Sequence, residues 1–211
     1  GLGDVYKRQV LSGSRKALNW CDDKGNVDFY DMKGIVEGLL EAMQVSDYTM
    51  TRSQQPYLHP GKSCDIVVNG EVIGSFGEVH PVVQENFELD QVTYVLEMAV
   101  EPLVASATAV PQYKHLPKFP SMSRDIAVVV PAEVTNAELE QVIRAHAGEL
   151  LKGVRVFDIY TGKQVAAGCK SMAFNLTYQA ADRTLTDAEV DASMKKVIAE
   201  VAEAYKAKLR D

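Results

Sequence analysis

From Asp31 onward, Ile35, Val36, Leu39, Leu40 and Met43 recur at helical spacing, which predicts an amphipathic helix over Met32 to Gln44. Asp28 or Asp31 stands where a carboxylate would cap that helix or favour its positive end. The period then changes to two. Ser63 to Val68 and Glu71 to Phe76 flank Asn69-Gly70, the pair that best tolerates the two positive φ angles of a tight hairpin turn. His80-Pro81 opens a short helix to about Phe87, and Val92 to Val100 alternates as a further strand. Gly1 to Gln9 shows no periodicity that continues past Gln9 and is set aside as a candidate non-native extension.

Between Glu101 and Ser123 the pattern lapses. Ala-rich sequence gives way to Pro111, Pro117 and Pro120, which favour an extended path and place a domain boundary here. Beyond it the order reads strand, helix, strand, strand, helix, short strand. Arg124 to Val130 is the first strand. A helix follows from Thr135, with Glu138 completing a capping box; its stripe is Leu139, Val142, Ile143 and His146, and Gly148 lies just past its end. Val154 to Tyr160 and Ser171 to Gln179 are strands two and three. The last helix begins with the box Thr186/Glu189 and buries Val190, Met194, Val197, Ile198 and Val201, and Ala207 to Arg210 adds a short edge strand. This is the split βαβ, or ferredoxin-like, order. The fold class expected is therefore α+β, with an antiparallel first region (10–105), a linker (106–116) and a ferredoxin-like second region (117–211).

Both helices of such a fold cover one sheet face, so alternation decides what the other face shows. Met172, Phe174, Leu176 and Tyr178 form one set, leaving Ser171, Ala173, Asn175 and Thr177 outward. Ile126, Val128 and Val130 turn inward, leaving Asp125, Ala127 and Val129 outward. Strand two is ambiguous by hydrophobicity. Assigning Phe157 and Ile159 to the core sends Asp158 and Tyr160 to the open face. A ring that stacks, a small residue that gives clearance and a carboxylate that accepts from guanine donors can together read one base.

Charge bears on that possibility. The net charge of −7 speaks against a phosphate-rich partner. The acidity is uneven, however. Up to Pro111 there are 8 Lys and Arg against 16 Asp and Glu; after it, 14 against 13. The second region can bind RNA, with little help from bulk charge. No apolar run approaches the ~20 residues that span a bilayer, so a cytosolic protein without a membrane partner is expected. Cys21, Cys64 and Cys169 are odd in number and far apart, as reduced thiols would be.

Several segments resemble one family in sequence order. They are Val27-Asp-Phe-Tyr-Asp-Met-Lys-Gly-Ile-Val-Glu-Gly-Leu-Leu40, Tyr57-Leu-His-Pro-Gly-Lys62, Ile73-Gly-Ser-Phe-Gly-Glu-Val-His-Pro81, Phe119-Pro-Ser-Met-Ser-Arg-Asp125, Phe157-Asp-Ile-Tyr160 and Arg183-Thr-Leu-Thr-Asp187. They look like the late part of the bacterial phenylalanyl-tRNA synthetase β-subunit family, from about Val10 to the end. The resemblance implies the end of a class II synthetase-like core that has lost its chemistry, then a ferredoxin-fold anticodon-binding domain. It also implies tRNA(Phe) as partner, an α subunit that activates the amino acid with ATP and magnesium in an (αβ)2 assembly, and no cofactor on this fragment. By position, Ala127, Asp158, Tyr160 and Ser171 would meet the guanine in the first anticodon place.

Plainer readings stand beside these. Asp158 and Tyr160 also suit a solvated sheet face, and the same sheet would serve a small-molecule or protein-interaction domain. His59 and His80 precede prolines and suit turns. Cys64, Glu78 and His80 lack zinc-type spacing, and Gly70, Gly74 and Gly77 lack that of a phosphate loop. Arg15, Arg52 and Lys62 suit surface charge better than an ATP constellation, and Lys195 and Lys196 a solvated helix face. No catalytic residue or metal site is expected, and the fragment alone should not catalyse aminoacylation.

Overall fold

A computed structural model describes residues 4–16, 20, 25–108, 110, 113, 116–162 and 164–210. Cys21, the first three residues of the set-aside extension, parts of the linker and Asp211 lie outside the described residues. The chain falls into two compact units, Gly1–Tyr113 and Lys114–Asp211.

The first unit is a five-stranded antiparallel sheet in the order β1-β5-β4-β3-β2: β1 (Tyr6–Ser12), β2 (Tyr48–Arg52), β3 (Leu58–Val68), β4 (Glu71–Val79) and β5 (Thr93–Ala99). Helix α1 (Phe29–Ala42) packs Met32, Val36 and Leu40 onto Ile66, Phe76, Leu96 and Met98, and short helices α2 (Pro81–Asn86) and α3 (Val100–Ser106) follow β4 and β5. Helix α1 starts at Phe29, three residues before Met32, because Asp28 is its N-cap. The Asp28 carboxylate accepts from the Tyr30 and Asp31 N–H groups (2.8 and 3.1 Å), and Asp31 accepts from the Asp28 N–H at 2.7 Å. That bond, with Arg15 beside it, holds the Asp31 carboxyl below its usual range. The β3–β4 hairpin turns at Asn69 and Gly70 with φ of 52° and 83°, as the Asn-Gly pair requires.

Two expectations for this unit change. Tyr6 to Gln9, set aside on periodicity, belong to β1, paired along β5 from Tyr6↔Ala99 to Ser12↔Thr93. An edge strand half in solvent needs little periodicity of its own, because its order comes from a partner some ninety positions away. Val100, read as the end of a strand, and Glu101 to Ser106, read as irregular, form helix α3; Pro102 sits in its first turn, where a missing N–H costs nothing.

The second unit has the strand order β7-β8-β6-β9: β6 (Met122–Pro131), β7 (Leu151–Tyr160), β8 (Cys169–Tyr178) and β9 (Lys208–Leu209), with helices α4 (Asn136–Ala147) and α5 (Asp187–Tyr205). One core joins Ile126, Val128 and Val130, Met172, Phe174, Leu176 and Tyr178, and Leu139, Ile143, Val190, Val197 and Val201 of the helices. Both capping boxes form. Glu138 accepts from the Thr135 N–H at 2.7 Å, and Glu189 from the Thr186 N–H at 2.9 Å. After α5, Lys206 takes a left-handed conformation (φ 53°) and turns the chain back along β6 as β9. Among the described residues no helix is long and apolar enough to cross a membrane.

Glu189 also accepts from Arg183 at 2.6 Å. The Thr186 N–H, Arg183 and the Thr186 hydroxyl together bring its carboxyl from 4.5 down to about 2. A depressed folded-state value means that the stabilisation is complete above about pH 4.5 and drains away as pH falls towards 2. The urea midpoint of the chain should therefore fall more steeply between these pH values than that of Glu189→Gln, which keeps an acceptor but does not titrate. Equal slopes would show that this carboxylate contributes nothing to acid lability.

Candidate nucleic-acid interface

Strand β8 is paired on both sides, which fixes the rows of side chains across the sheet. Met172, Phe174, Leu176 and Tyr178 point towards α4 and α5, so Ser171, Ala173, Asn175 and Thr177 occupy the opposite, helix-free face. The register sets Ala127 beside Ala173, and Ala173 beside Asp158. In the next row Val129 stands beside Ser171, and Ser171 beside Tyr160. Ala127, Asp158, Tyr160 and Ser171 thus come together on one face, in two adjacent rows over three strands. Asp158 is exposed, Ala127 and Tyr160 are half-buried, and Ser171 is only 3% exposed, at the floor of the face.

The route by which Asp158 reaches this face differs from the expected one. Phe157 and Ile159, assigned to the core by hydrophobicity, are each 52% exposed; the β7 residues that pack on the core are Val154 and Val156. Val156 pairs with Phe174 and Asp158 with Ala173, so Phe157 is an extra residue, a β-bulge. With Val154 and Val156 inward, unbroken alternation would have turned Asp158 inward as well. The bulge resets the phase by one residue and aims Asp158 and Tyr160 outward.

Residues from the chain end also reach this face. Leu209 pairs with Val128, and the Arg210 N–H donates to the Ala127 carbonyl at 2.9 Å, so Arg210 extends the row of Asp158, Ala173 and Ala127. Its guanidinium lies over the Tyr160 ring, 4.7 Å from the centroid, and donates to Gln164 Oε1 at 3.0 Å. The phenol leans so close to the backbone at Gly162 that a Cβ there would stand 2.1 Å from the hydroxyl oxygen. One row beyond Ala173, Asn175 donates to Asp125 at 2.6 Å, and exposed Arg155 pairs beside Asn175. Sequence reasoning placed Arg210 at the end of a short edge strand but did not carry it onto the face. Alternation from Leu209, opposite inward Val128, is the signal that could have done so.

In the first unit the singled-out residues have local partners. Buried Glu78, 5% exposed, accepts from Lys62 Nζ at 2.7 Å and from the Tyr94 hydroxyl at 3.1 Å. Burial, with Glu78 as acceptor, pushes the Tyr94 phenol up to about 12. Arg15 bridges Asp28 and Asp31 at the start of α1. His59 Nδ1 accepts from the Gly61 N–H, and His80 Nδ1 from the Val82 N–H at the start of α2. Burial raises the Cys64 thiol, which disfavours the thiolate. Among the described residues, no group of three or more His, Cys, Asp or Glu is arranged to hold a metal ion.

Comparison with known proteins bears on both units. Residues 9–100 match the family described as the phenylalanyl tRNA synthetase beta chain CLM domain, and residues 117–210 match the ferredoxin-fold anticodon binding domain. The phenylalanine–tRNA ligase beta subunit of Symbiobacterium thermophilum is 42% identical over 201 residues, covering 95% of this chain and 22% of that protein. That of Bacillus subtilis is 43% identical over 197 residues (93% and 24%), and that of Clostridium acetobutylicum 41% over 187 (88% and 24%). The chain spans about a quarter of the length of the curated relatives it matches. From its two matched segments and its identity with these subunits along nearly all its length, the chain belongs to the phenylalanine–tRNA ligase β-subunit family and carries a ferredoxin-fold anticodon-binding domain.

Proposed function

We propose that this chain reads the tRNA(Phe) anticodon on the open face of the β7-β8-β6-β9 sheet. It would support aminoacylation by an α subunit in a cytosolic (αβ)2 enzyme that uses ATP and magnesium. The observation that carries the proposal is the convergence of Ala127, Asp158, Tyr160 and Ser171 on one helix-free face, inside the segment matched to anticodon-binding domains. The Tyr160 ring offers a stacking surface. Ala127 and Ala173 leave clearance for a base. Asp158, exposed at the sheet edge, can accept from two donors on a guanine Watson–Crick edge, and the Ser171 hydroxyl lies at the floor. The first unit, acidic in composition, serves subunit contacts. We further propose domains over 10–105 and 117–211 with a linker at 106–116.

Tyr160→Ala removes a stack worth ~1–3 kcal/mol, so tRNA(Phe) binding should weaken roughly tenfold or more, while Tyr160→Phe keeps most of the affinity. Asp158→Asn puts a donor opposite donors and should erode discrimination against a changed first anticodon base more than it erodes affinity. Salt dependence should be shallow, because the second half of the chain is nearly neutral. A filter-binding series with native and base-changed RNA checks all of this; parent-like binding by Tyr160→Ala to both RNAs would leave the face merely solvated.

Alone, the chain should show no phenylalanine-dependent pyrophosphate exchange, and measurable exchange by pure protein would refute that. Residues 112–211 by themselves should fold, since one core joins both helices to the sheet. A coil-like circular dichroism spectrum for that piece would overturn the domain division.

A further inference from the structure

The contact between Arg210 and Tyr160 joins the chain end to the proposed base platform, fifty positions earlier. Three features hold it. The Arg210 N–H is anchored to the Ala127 carbonyl, the guanidinium donates to Gln164, and Gly162 leaves the phenol room to lie against the backbone. The arginine thereby covers the ring on which a base would stack, at 4.7 Å from its centroid. A base needs a contact of about 3.5 Å on each side, so a ring and a guanidinium enclosing one stand roughly 7 Å apart. The observed gap is too narrow. Arg210 must withdraw by about 2 Å, which its exposed hydrogen bond to Gln164 permits while the backbone anchor stays in place.

We propose that Arg210 is a further anticodon-contacting residue, its guanidinium lifting from Tyr160 to form the second wall of a sandwich around the first anticodon base. This rests on the assignment of the open face as the anticodon site. A planar, delocalised cation suits the role, because guanidinium stacks on aromatic faces whereas an ammonium is a strongly hydrated point charge. One side of the base then meets the tyrosine and the other the arginine, with Asp158 at its edge and Ala127 and Ala173 beneath. A guanidinium can also bind phosphate, but a contact with phosphate alone would be indifferent to the base.

That difference sets the test. Binding of an anticodon stem-loop RNA of tRNA(Phe) sequence, and of the same RNA with an abasic first anticodon position, is compared for the whole chain and for Arg210→Ala, Arg210→Lys, Tyr160→Ala and the double variant. The substitutions at 210 leave the backbone bond to Ala127 intact, and circular dichroism confirms the fold of each protein. Arg210→Ala should weaken binding of the intact RNA roughly three- to tenfold and that of the abasic RNA much less. Arg210→Lys should recover only a minor part of the loss. The double variant should lose less than the product of the two single losses, since both residues act on one base. Equal losses on both RNAs, or full rescue by lysine, would make Arg210 a phosphate contact and overturn the proposal. Tighter binding by Arg210→Ala would make the arginine a cover only, and parent-like binding would leave it without a role; either outcome also overturns it. If Tyr160→Ala weakens binding and Arg210→Ala does not, the sandwich alone falls. If Tyr160→Ala and the abasic change are both without effect, the anticodon-site assignment falls with it.

Discussion

Strand β8 is hydrogen-bonded along both edges, to β6 on one side and β7 on the other, and this double pairing decides the rest of the second unit. A strand paired on both sides cannot slip by one residue without turning its whole apolar set into solvent. Met172, Phe174, Leu176 and Tyr178 are all buried against α4 and α5, so the register is held by the full strength of the core. Everything proposed for the open face depends on that register. The residues available to a ligand are those left over by alternation, and their spacing is the spacing of the sheet.

Within that frame the β7 bulge has a specific effect. Strand β7 is an edge strand, and edge strands tolerate an extra residue because only one side must stay in register. The bulge leaves Phe157 out of register and half in solvent, and it turns Asp158 and Tyr160 to the face they share with Ser171 and Ala127, while Ile159 falls in the row of Met172. Apolar exposure is traded there for the placement of a carboxylate and a ring. The chain end makes a complementary adjustment: the left-handed Lys206 reverses the path after α5, and two residues of β9 suffice to bring Arg210 over the ring.

The first unit shows a different balance. Several of its polar groups are consumed locally: Glu78 by Lys62 and Tyr94, Asp28 and Asp31 by each other and Arg15, His80 by the helix it caps. Gly74 and Gly77 let strands approach so closely that a Cβ would meet Glu97, Met98, Lys62 or Ser63 at under 3 Å. Gly74 and Gly77, whose spacing already spoke against a phosphate loop, are packing residues in the fold. Such a unit is built for cohesion.

Short-range features were legible in the amino-acid order. Helices α1, α4 and α5, their caps and the Asn69-Gly70 turn depend on residues three or four apart, and the α4 and α5 stripes lie on one core as their spacing requires. The outward set of β6 and β8 was legible too, because both strands alternate without interruption. What depended on distant partners was not. Strand β1 takes its order from β5, and α3 follows a strand end in sequence that resembles a linker. The phase of β7 was assigned from two apolar residues that the fold leaves exposed. Asp158 and Tyr160 reach the expected face only because of the bulge, an irregularity that no local pattern announces. Arg210 over Tyr160 is the extreme case. Fifty positions apart, the two meet because of strand order, and strand order is a property of the assembled sheet.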